Sequence, residues 1–360
     1  MYFDSLRSDR SFGRGDILVF PASRSPSVMS SPFIPWLHRF SKFVAAWTFF
    51  VVLAGGMVTS TDSGLAVPDW PTSYGYFMFS FPLSKMVGGI FYEHGHRLIA
   101  SVVGFLTIVL AVWLRWKDAR PWVHRLGFLA LLMVILQGIL GGITVIYFLP
   151  TLVSVAHAGL AQLFFCLVVS LALFTSAGWL RGYAPDGLIH KGVDDCLLRR
   201  LAISTTVTIY LQILVGAAMR HTGAGLAIPD FPLIFGGFLP PMWDLGIVIH
   251  FAHRVGAVIV IVMIFALTGH VWYHHRKCQE LIRPAVLLGV LVILQAILGG
   301  FIIWTQRAVP INSAHVAVGA LVFATALVLM LRVHRGLFSD RSFVTDSRGL
   351  DTKTAIKVSV

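Results

Sequence analysis

Long apolar stretches separated by short polar segments dominate the hydropathy pattern of this chain. A helix needs about 20 mostly apolar residues to cross roughly 30 Å of hydrocarbon. Because lipid offers the backbone no hydrogen bonds, apolar segments of this length are predicted to be helices. Eight stretches qualify: 41–60, 97–116, 123–147, 152–179, 199–219, 246–272, 283–304 and 313–333. The pattern therefore predicts an all-α integral membrane protein with eight transmembrane helices.

Composition agrees with this prediction and excludes several classes of protein. Of the 360 residues, 57% are apolar and 12% are charged, and the charged fraction is about half that of a soluble domain. A soluble enzyme, a disordered chain and a coiled coil are excluded. The three cysteines, Cys166, Cys196 and Cys278, are too few for a disulfide framework or a thiolate metal cage.

The net charge of +12 is explained by membrane topology. With the N-terminus in the cytoplasm, 23 of the 28 Lys and Arg residues fall in cytoplasmic segments, as the positive-inside rule requires. The other five are Lys85, Arg97, Arg220, Arg254 and Arg307. Both termini are therefore predicted to be cytoplasmic, and no nucleic-acid partner is expected.

The predicted spans divide the chain into two halves with polar tails. We predict a cytoplasmic N-terminal tail at 1–40, an N-terminal half at 41–180, a cytoplasmic linker at 181–198, a C-terminal half at 199–335 and a C-terminal tail at 336–360. Residues 1–28 precede Met29 and are interpreted as a start-site artefact. The acidic residues Asp4, Asp9 and Asp16 argue against a transit peptide.

The two halves repeat one another. Four motifs return in the second half at offsets of 161, 157, 158 and 158 residues: Gly64–Pro71 as Gly225–Pro232, His96–Arg97 as His253–Arg254, Gln137–Gly142 as Gln295–Gly300, and Ala156–His157 as Ala314–His315. Four spans per repeat give both halves one orientation, related by an axis along the membrane normal. We expect two tandem pseudo-symmetric four-helix bundles, with Gly138 and Gly142 as helix-packing residues.

Four histidines at matched places are the candidate metal ligands. An ionisable group at membrane depth is a functional hypothesis, and two imidazoles from facing helices suit the two axial positions of a haem iron. The four, each within about one turn of the outer end of an even-numbered span, are His96, His157, His253 and His315. A small residue follows each at i+4: Ala100, Ala161, Ala257 and Gly319. Repeat register disfavours the alternative of four ordinary cross-helix hydrogen bonds.

Other metals and other histidines fit less well. Zinc prefers four converging ligands that include thiolate or carboxylate, whereas spacing alone does not exclude copper. Solvated roles are expected for His38, His124, His190, His270, His274, His275 and His334. Arg97 and Arg254 directly follow ligand candidates, and pairing with haem propionates and snorkelling to lipid phosphate are equal alternatives.

The two halves have different residue types at the position three residues before the first candidate ligand histidine of each half. Glu93 in the first half corresponds to His250 in the second, and the i, i+3 spacing puts Glu93 on the face of His96. A carboxylate in a partly apolar site can exchange protons, so Glu93 is the catalytic candidate; an ordinary interfacial glutamate is the alternative. His94 is expected to be peripheral. The asymmetry favours one half with a fixed redox haem and another with the molecule being modified.

These residues resemble the haem A synthases of bacterial plasma membranes and mitochondrial inner membranes. The matching segments are Val58–Thr61, Gly64–Pro71, Glu93–Arg97, Ala156–Gln162, His253–Gly256 and Ala314–His315. The resemblance implies oxidation of a methyl group of haem O to the formyl group of haem A, for cytochrome oxidase, through two hydroxylations and loss of water. It implies that His96 and His157 bind the substrate haem O, that His253 and His315 bind a cofactor haem b, and that Glu93 is catalytic. Beside these ligands we predict Arg97 at the substrate haem and Arg254 at the cofactor haem.

The resemblance also implies a place in the cell and partners. It favours a multi-pass protein of the bacterial plasma membrane over one of the mitochondrial inner membrane. The implied partners are membrane lipid, haem O synthase, cytochrome oxidase assembly factors and an electron acceptor that the sequence does not identify; a homo-oligomer is left open. Many family members carry a cysteine pair where this chain has Val67 and Ser73. The alternative functions are a di-haem b-type electron-transfer cytochrome and a haem transporter or chaperone.

Overall fold

A computed structural model describes residues 33–181, 193–336 and 338. In that part of the chain the regular elements are α-helices and short 3₁₀ turns. The α-helices are α1 Pro35–Ser60, α2 Gly89–Lys117, α3 Pro121–Ile146, α4 Thr151–Phe174, α5 Ala177–Arg181, α6 Cys196–His221, α7 Leu245–His275, α8 Gln279–Trp304 and α9 Val309–Val333. Most of the predicted N-terminal tail, linker and C-terminal tail lies outside the described residues.

Eight of these helices, all except the short α5, are long and apolar enough to cross a membrane. They coincide with the eight apolar stretches, so the predicted fold class is confirmed.

Several helices begin before their apolar stretch. Pro35 and Pro121 stand in the first turns of α1 and α3, where a missing backbone N–H leaves no helical hydrogen bond unmade. Helix α4 ends at Phe174, ahead of the predicted residue 179.

Each half folds as a bundle of four consecutive helices. In the first half α1, α2, α3 and α4 contact one another in sequence and α1 closes against α4; α6 to α9 repeat this arrangement. Among the described helices, the main contacts between the halves are α1 with α9, α4 with α6, and α4 with α9. Exchanging the halves interchanges the first two contacts and leaves the third in place. The described part of the chain therefore has a pseudo-twofold axis between α4 and α9.

Apolar side chains both join the halves and cover the outside of the bundle. One buried cluster combines Val52 and Phe165 of the first half with Ile264 and Phe323 of the second. Large apolar side chains on the outside are exposed, among them Phe43, Phe105, Leu132, Val262 and Val290. Helices that are apolar on every side are typical of membrane spans.

One end of both bundles carries two long connections, 61–88 and 222–244, and two short ones, 147–150 and 305–308. We call it the histidine end. The long connections share a hydrogen-bonded turn, in which Asp69 accepts the N–H groups of Tyr74 and Gly75. Asp230 accepts those of Phe235 and Gly236 in the same way. The internal repeat therefore extends to the backbone of the loops.

These turns stabilise the ionised form of both aspartates. Burial disfavours the charge of Asp69, but the hydrogen bonds from Gly75, Thr72 and Tyr74 outweigh it and hold the pKa of Asp69 below its ordinary value. Backbone hydrogen bonds from Gly236 and Phe235 likewise lower the pKa of Asp230.

Candidate functional site

Each of the four candidate histidines packs against a glycine of the preceding long helix. A Cβ added to that glycine would lie only 3.0–3.4 Å from the imidazole ring. The pairs are Gly55–His96, Gly141–His157, Gly216–His253 and Gly299–His315. The glycines repeat at the same offsets of 161 and 158 residues as the motifs. Sequence reasoning missed them, although the repeat register was the signal that could have found them.

The histidines lie deeper in the bundle than predicted. Counted from the first residue of each helix, they stand six to eight residues inside α2, α4, α7 and α9, which corresponds to about 9–12 Å of helix. The difference is largest for His96, because α2 begins at Gly89 whereas the apolar stretch begins at residue 97. The four rings therefore stand about two turns from the histidine end of their helices.

The rings form two pairs, one in each bundle. His96 on α2 and His157 on α4 belong to the first bundle, and His253 on α7 and His315 on α9 belong to the second. All four residues are partly exposed, yet the Nδ1 atoms of His96, His157 and His315 are buried without a hydrogen-bond partner. A buried polar nitrogen without a partner is costly. Hydrogen bonds to Nδ1 thus do not hold these three rings, although Gln295 lies within hydrogen-bond distance of Nε2 of His315. Two imidazoles in each bundle suit the axial positions of a haem iron.

Glutamines hold the second pair more firmly than the first. Gln212 donates to Nδ1 of His253 at 3.0 Å and to its carbonyl oxygen at 2.7 Å. The amide nitrogen of Gln295 lies 3.2 Å from Nε2 of His315. In the first bundle Gln137 reaches only the carbonyl oxygen of His157, and Val51 stands at the place of Gln212. Only in the second bundle do glutamines contact the imidazole rings.

Glu93 is buried and binds the loop above its helix. Its side chain accepts the backbone N–H of Val67 at 2.7 Å and lies 2.6 Å from the guanidinium of Arg97. Arg97 also donates to the carbonyl oxygens of Val67 and Asp69. The carboxylate and the guanidinium together fasten the 61–88 connection to α2.

His250 makes the equivalent contacts in the second half. Its Nδ1 accepts the N–H of Ile228 at 3.2 Å, and Nε of Arg254 lies 3.2 Å from its Nε2. Arg254 also donates to the carbonyl oxygens of Ile228, Asp230 and Leu233. Both arginines therefore bind loop backbone, an arrangement that neither sequence alternative described. Their role toward haem propionates stays a prediction.

An aromatic residue of each long loop rests on a glycine of the bundle. A Cβ added to Gly142 would lie 2.5 Å from the ring of Trp70, and one added to Gly300 would lie 2.9 Å from Phe231. A Cβ on Gly138 would meet nothing within 4 Å. Gly142 therefore makes room for a loop aromatic, which differs from its predicted role in helix packing.

His94, which the sequence suggested was peripheral, is buried. It is 1% exposed, its Nδ1 lies 2.9 Å from Oγ of Ser73, and its ring packs on Phe81 at 4.7 Å. Ser73 and Val67, where the resemblance implies a cysteine pair in other members, are both fully buried here. The described cysteines Cys166, Cys196 and Cys278 are free thiols away from this loop.

A polar contact joins the two bundles near the histidine end. Arg220 donates to the carbonyl oxygen of Gly56 at 2.8 Å and to Oγ of Ser60 at 2.7 Å. Asn312 and Ser313 also lie within hydrogen-bond distance of Oγ of Ser60. Helices α1, α6 and α9 are thereby tied together between the two histidine pairs.

Comparison with known proteins decides the family. The model of the cytochrome oxidase assembly protein family, COX15-CtaA, matches residues 38–327. The chain belongs to this family. The matched region of this COX15-CtaA member runs from α1 into α9 and includes all four histidines and Glu93.

Curated relatives of this family member are named Heme A synthase. One from Shouchella clausii is 28% identical over 305 residues, covering 83% of this chain and 97% of the relative. One from Symbiobacterium thermophilum is 31% identical over 231 residues, covering 64% of this chain and 72% of the relative. One from Alkalihalophilus pseudofirmus is 26% identical over 303 residues, covering 83% and 98%.

Proposed function

We propose that this chain is a haem A synthase, an enzyme that oxidises a methyl group of haem O to the formyl group of haem A for cytochrome oxidase. Relatives that carry this name match most of the chain. The observation that carries the proposal is the arrangement of four partly exposed histidines in two pairs, each ring on a glycine, three with an unpartnered buried Nδ1. The ligand set suits two haems, each with two axial imidazoles.

We assign the substrate to the first pair and a resident haem b to the second. Side chains at the ring of a ligand histidine fix its orientation, and of the four candidates His253 and His315 have a glutamine amide nitrogen within hydrogen-bond distance of the ring. His96 and His157 lack such contacts, which suits a molecule that must leave after reaction. When bound, haem b would supply one-electron redox chemistry.

Glu93 is the proposed proton acceptor of the reaction. With water as the oxygen donor, two hydroxylations of the methyl group followed by loss of water convert –CH3 and one net H2O into –CHO, four protons and four electrons, and the electrons pass to the proposed electron acceptor. Glu93 shares a face of α2 with His96, and its carboxylate is 4% exposed. The N–H of Val67 and the guanidinium of Arg97 hold it in place, so the loop that covers the first pair also orients the base.

The same proposal includes the orientation of the chain in the membrane, its place in the cell and its partners. Described basic residues such as Arg39, Arg115, Arg125 and Arg199 lie at the end opposite the histidines. The positive-inside rule therefore puts that end and both tails in the cytoplasm, and the bacterial relatives favour the bacterial plasma membrane. The proposed partners are lipid, haem O synthase, other assembly factors and an electron acceptor.

One observation favours a second candidate, a di-haem b-type electron-transfer cytochrome. His250 makes the same loop contacts as Glu93, so a residue at this position has a structural role in both halves. In an electron carrier that structural role would be the whole role of Glu93. The two candidates therefore differ in whether bound haem O changes chemically.

Co-expression with a haem O synthase, followed by chromatography of extracted haems, tests the proposal. We expect haem A to accumulate with the wild-type chain. His253→Ala and His315→Ala should lower bound haem b at least about tenfold, whereas His96→Ala and His157→Ala should keep haem b and abolish conversion. Unchanged haem O beside a normal bis-histidine spectrum of the wild-type protein would favour the electron carrier.

A further inference from the structure

Three side chains of the second half converge at the end opposite the histidine end, away from the haem ligands. Asp195 directly precedes α6, and His270 and His275 lie in the last turns of α7. One carboxylate oxygen of Asp195, Oδ2, lies 2.8 Å from Nε2 of His270 and 2.9 Å from Nε2 of His275. The three atoms lie within 4.8 Å of one another. The solvated roles that the sequence suggested for these two histidines do not describe this cluster.

We propose that Asp195, His270 and His275 form a binding site for a divalent cation of the zinc class. Zinc binds two imidazoles and one carboxylate readily, with a fourth position left for water. Tetrahedral ligands about 2.0 Å from the metal lie about 3.3 Å apart, so each Nε2 needs to move from Oδ2 of Asp195 by about 0.5 Å. The two Nε2 atoms, now within 4.8 Å of each other, also need to lie about 3.3 Å apart.

The surroundings of the cluster supply what such a site requires. The second carboxylate oxygen, Oδ1, accepts the N–H of Leu198 at 2.9 Å, and this contact orients Asp195 toward the histidines. The three side chains are 13–21% exposed, which leaves a route for an ion. A cavity of about 290 Å³ beside His275 is lined by residues 273–278. The ring of His274 lies 4.5 Å from that of His270 but outside the group of three ligands.

Chemistry favours a borderline metal over magnesium or calcium. Hard cations take oxygen ligands, and the cluster offers one carboxylate and two imidazoles beside the basic residues Arg276 and Lys277. Zn²⁺, Ni²⁺ and Cu²⁺ accept imidazole well. The first half has no equivalent, since Ile34, Trp113 and Asp118 occupy the matched places. The proposed cation would connect the beginning of α6 to the end of α7 and does not depend on the haem assignment.

The test uses full-length, haem-loaded protein in detergent, purified without a histidine tag and washed with a chelator. After incubation with micromolar Zn²⁺ and removal of excess, elemental analysis should find about one zinc per chain, also in the presence of millimolar Mg²⁺. Zinc-edge X-ray absorption should show nitrogen and oxygen ligands at about 2.0–2.1 Å.

Three variants decide between this cluster and other surface histidines. Asp195→Asn retains an oxygen that can cap α6 but removes the anionic ligand, and His275→Gln removes one imidazole. Both should weaken zinc binding at least about 100-fold and leave the haem spectrum unchanged. His274→Gln, the matched control, should bind zinc as the wild type does. If Asp195→Asn alters the haem spectrum, the zinc affinity of His275→Gln alone decides whether this cluster binds the metal.

Three results would overturn the proposal. The first is a wild-type protein that retains no zinc. The second is a zinc content that is the same in His275→Gln as in the wild type, or equally reduced in His274→Gln. The third is a sulfur ligand at about 2.3 Å, which would assign the metal to Cys278.

Discussion

The two bundles have the same helices and loops but differ in how they hold the ring of the first histidine and the loop above it. In the second bundle Gln212 binds His253, His250 binds Arg254, and Ile234 and Phe251 lie at the places of Ser73 and His94. In the first bundle Val51 leaves His96 without this support, and Glu93 and the Ser73–His94 pair add polar contacts between α2 and the long loop. One duplicated scaffold thus has a tightly held pair and a loosely held pair.

This comparison separates what the fold needs from what the reaction needs. A contact found in both halves, such as the one from α2 or α7 to the backbone N–H of residue 67 or 228, belongs to the scaffold. A chemical group found in one half only, such as the carboxylate of Glu93, is a candidate for catalysis. Exchanging matched residues therefore tests function while the loop contacts are retained.

The largest effect is expected from exchanging Glu93 and His250. Glu93→His should keep the loop attached, because His250 makes that contact in the second half, yet it should lower haem O conversion by about 10²–10⁴-fold through loss of the proton acceptor. The measurement is the ratio of haem A to haem O in extracted haems. The control variant, His250→Glu, should retain conversion of haem O. Full activity of Glu93→His would show that Glu93 only attaches the loop to α2 and has no catalytic role.

A smaller effect is expected where the loop aromatics meet the bundle. Gly142→Ala should destabilise the protein by about 1–3 kcal/mol, because its Cβ would overlap Trp70 at 2.5 Å. Gly300→Ala, whose Cβ would lie 2.9 Å from Phe231, should destabilise the protein by a smaller amount. Thermal unfolding of the purified protein gives both values, with Gly138→Ala as the control. Equal stability of Gly142→Ala and Gly138→Ala would show that Trp70 moves without cost.

A further, smaller effect is expected at the glutamine of the second bundle. Gln212→Val gives His253 the surroundings of His96 and removes hydrogen bonds worth about 0.5–1.5 kcal/mol each. We expect haem b to dissociate about two- to tenfold faster from this variant, as followed by transfer to an apo-globin acceptor. The reciprocal Val51→Gln should slow release of the haem in the first bundle. An unchanged release rate in both variants would contradict the assignment of tight and loose pairs.

The smallest effect is expected from pH, and it should be the same in both halves. Asp69 and Asp230 have lowered pKa values in the folded loops. Their contribution to the stability of the folded loops is therefore fully present above the ordinary carboxyl pKa of about 3.9. It is lost as the pH falls through the lowered values. Pepsin cleavage of detergent-solubilised protein between pH 5 and 2 should attack both long loops together at the acid end. Protection of one loop only would show that the loops are not equivalent.

The sequence predicts the spans and the histidine positions because each depends on a simple physical constraint. Hydrocarbon thickness sets the length of the apolar stretches, and the repeat register identifies His96, His157, His253 and His315. The contacts of Glu93 with Val67 and of Gln212 with His253 join residues 26 and 41 positions apart. They depend on how loops and helices pack, which periodicity does not encode. The burial of His94 depends on the same packing, since the loop covers its side of α2.

The pseudo-twofold axis between α4 and α9 has a consequence for ancestry. The contact of α1 with α9 and the contact of α6 with α4 are two copies of the same interface, related by this axis. This is the self-complementary geometry of a symmetric homodimer. The chain thus has the architecture of two identical four-helix subunits that were joined end to end. Once joined, each subunit could change without changing the other, and a symmetric dimer of identical chains has no such freedom.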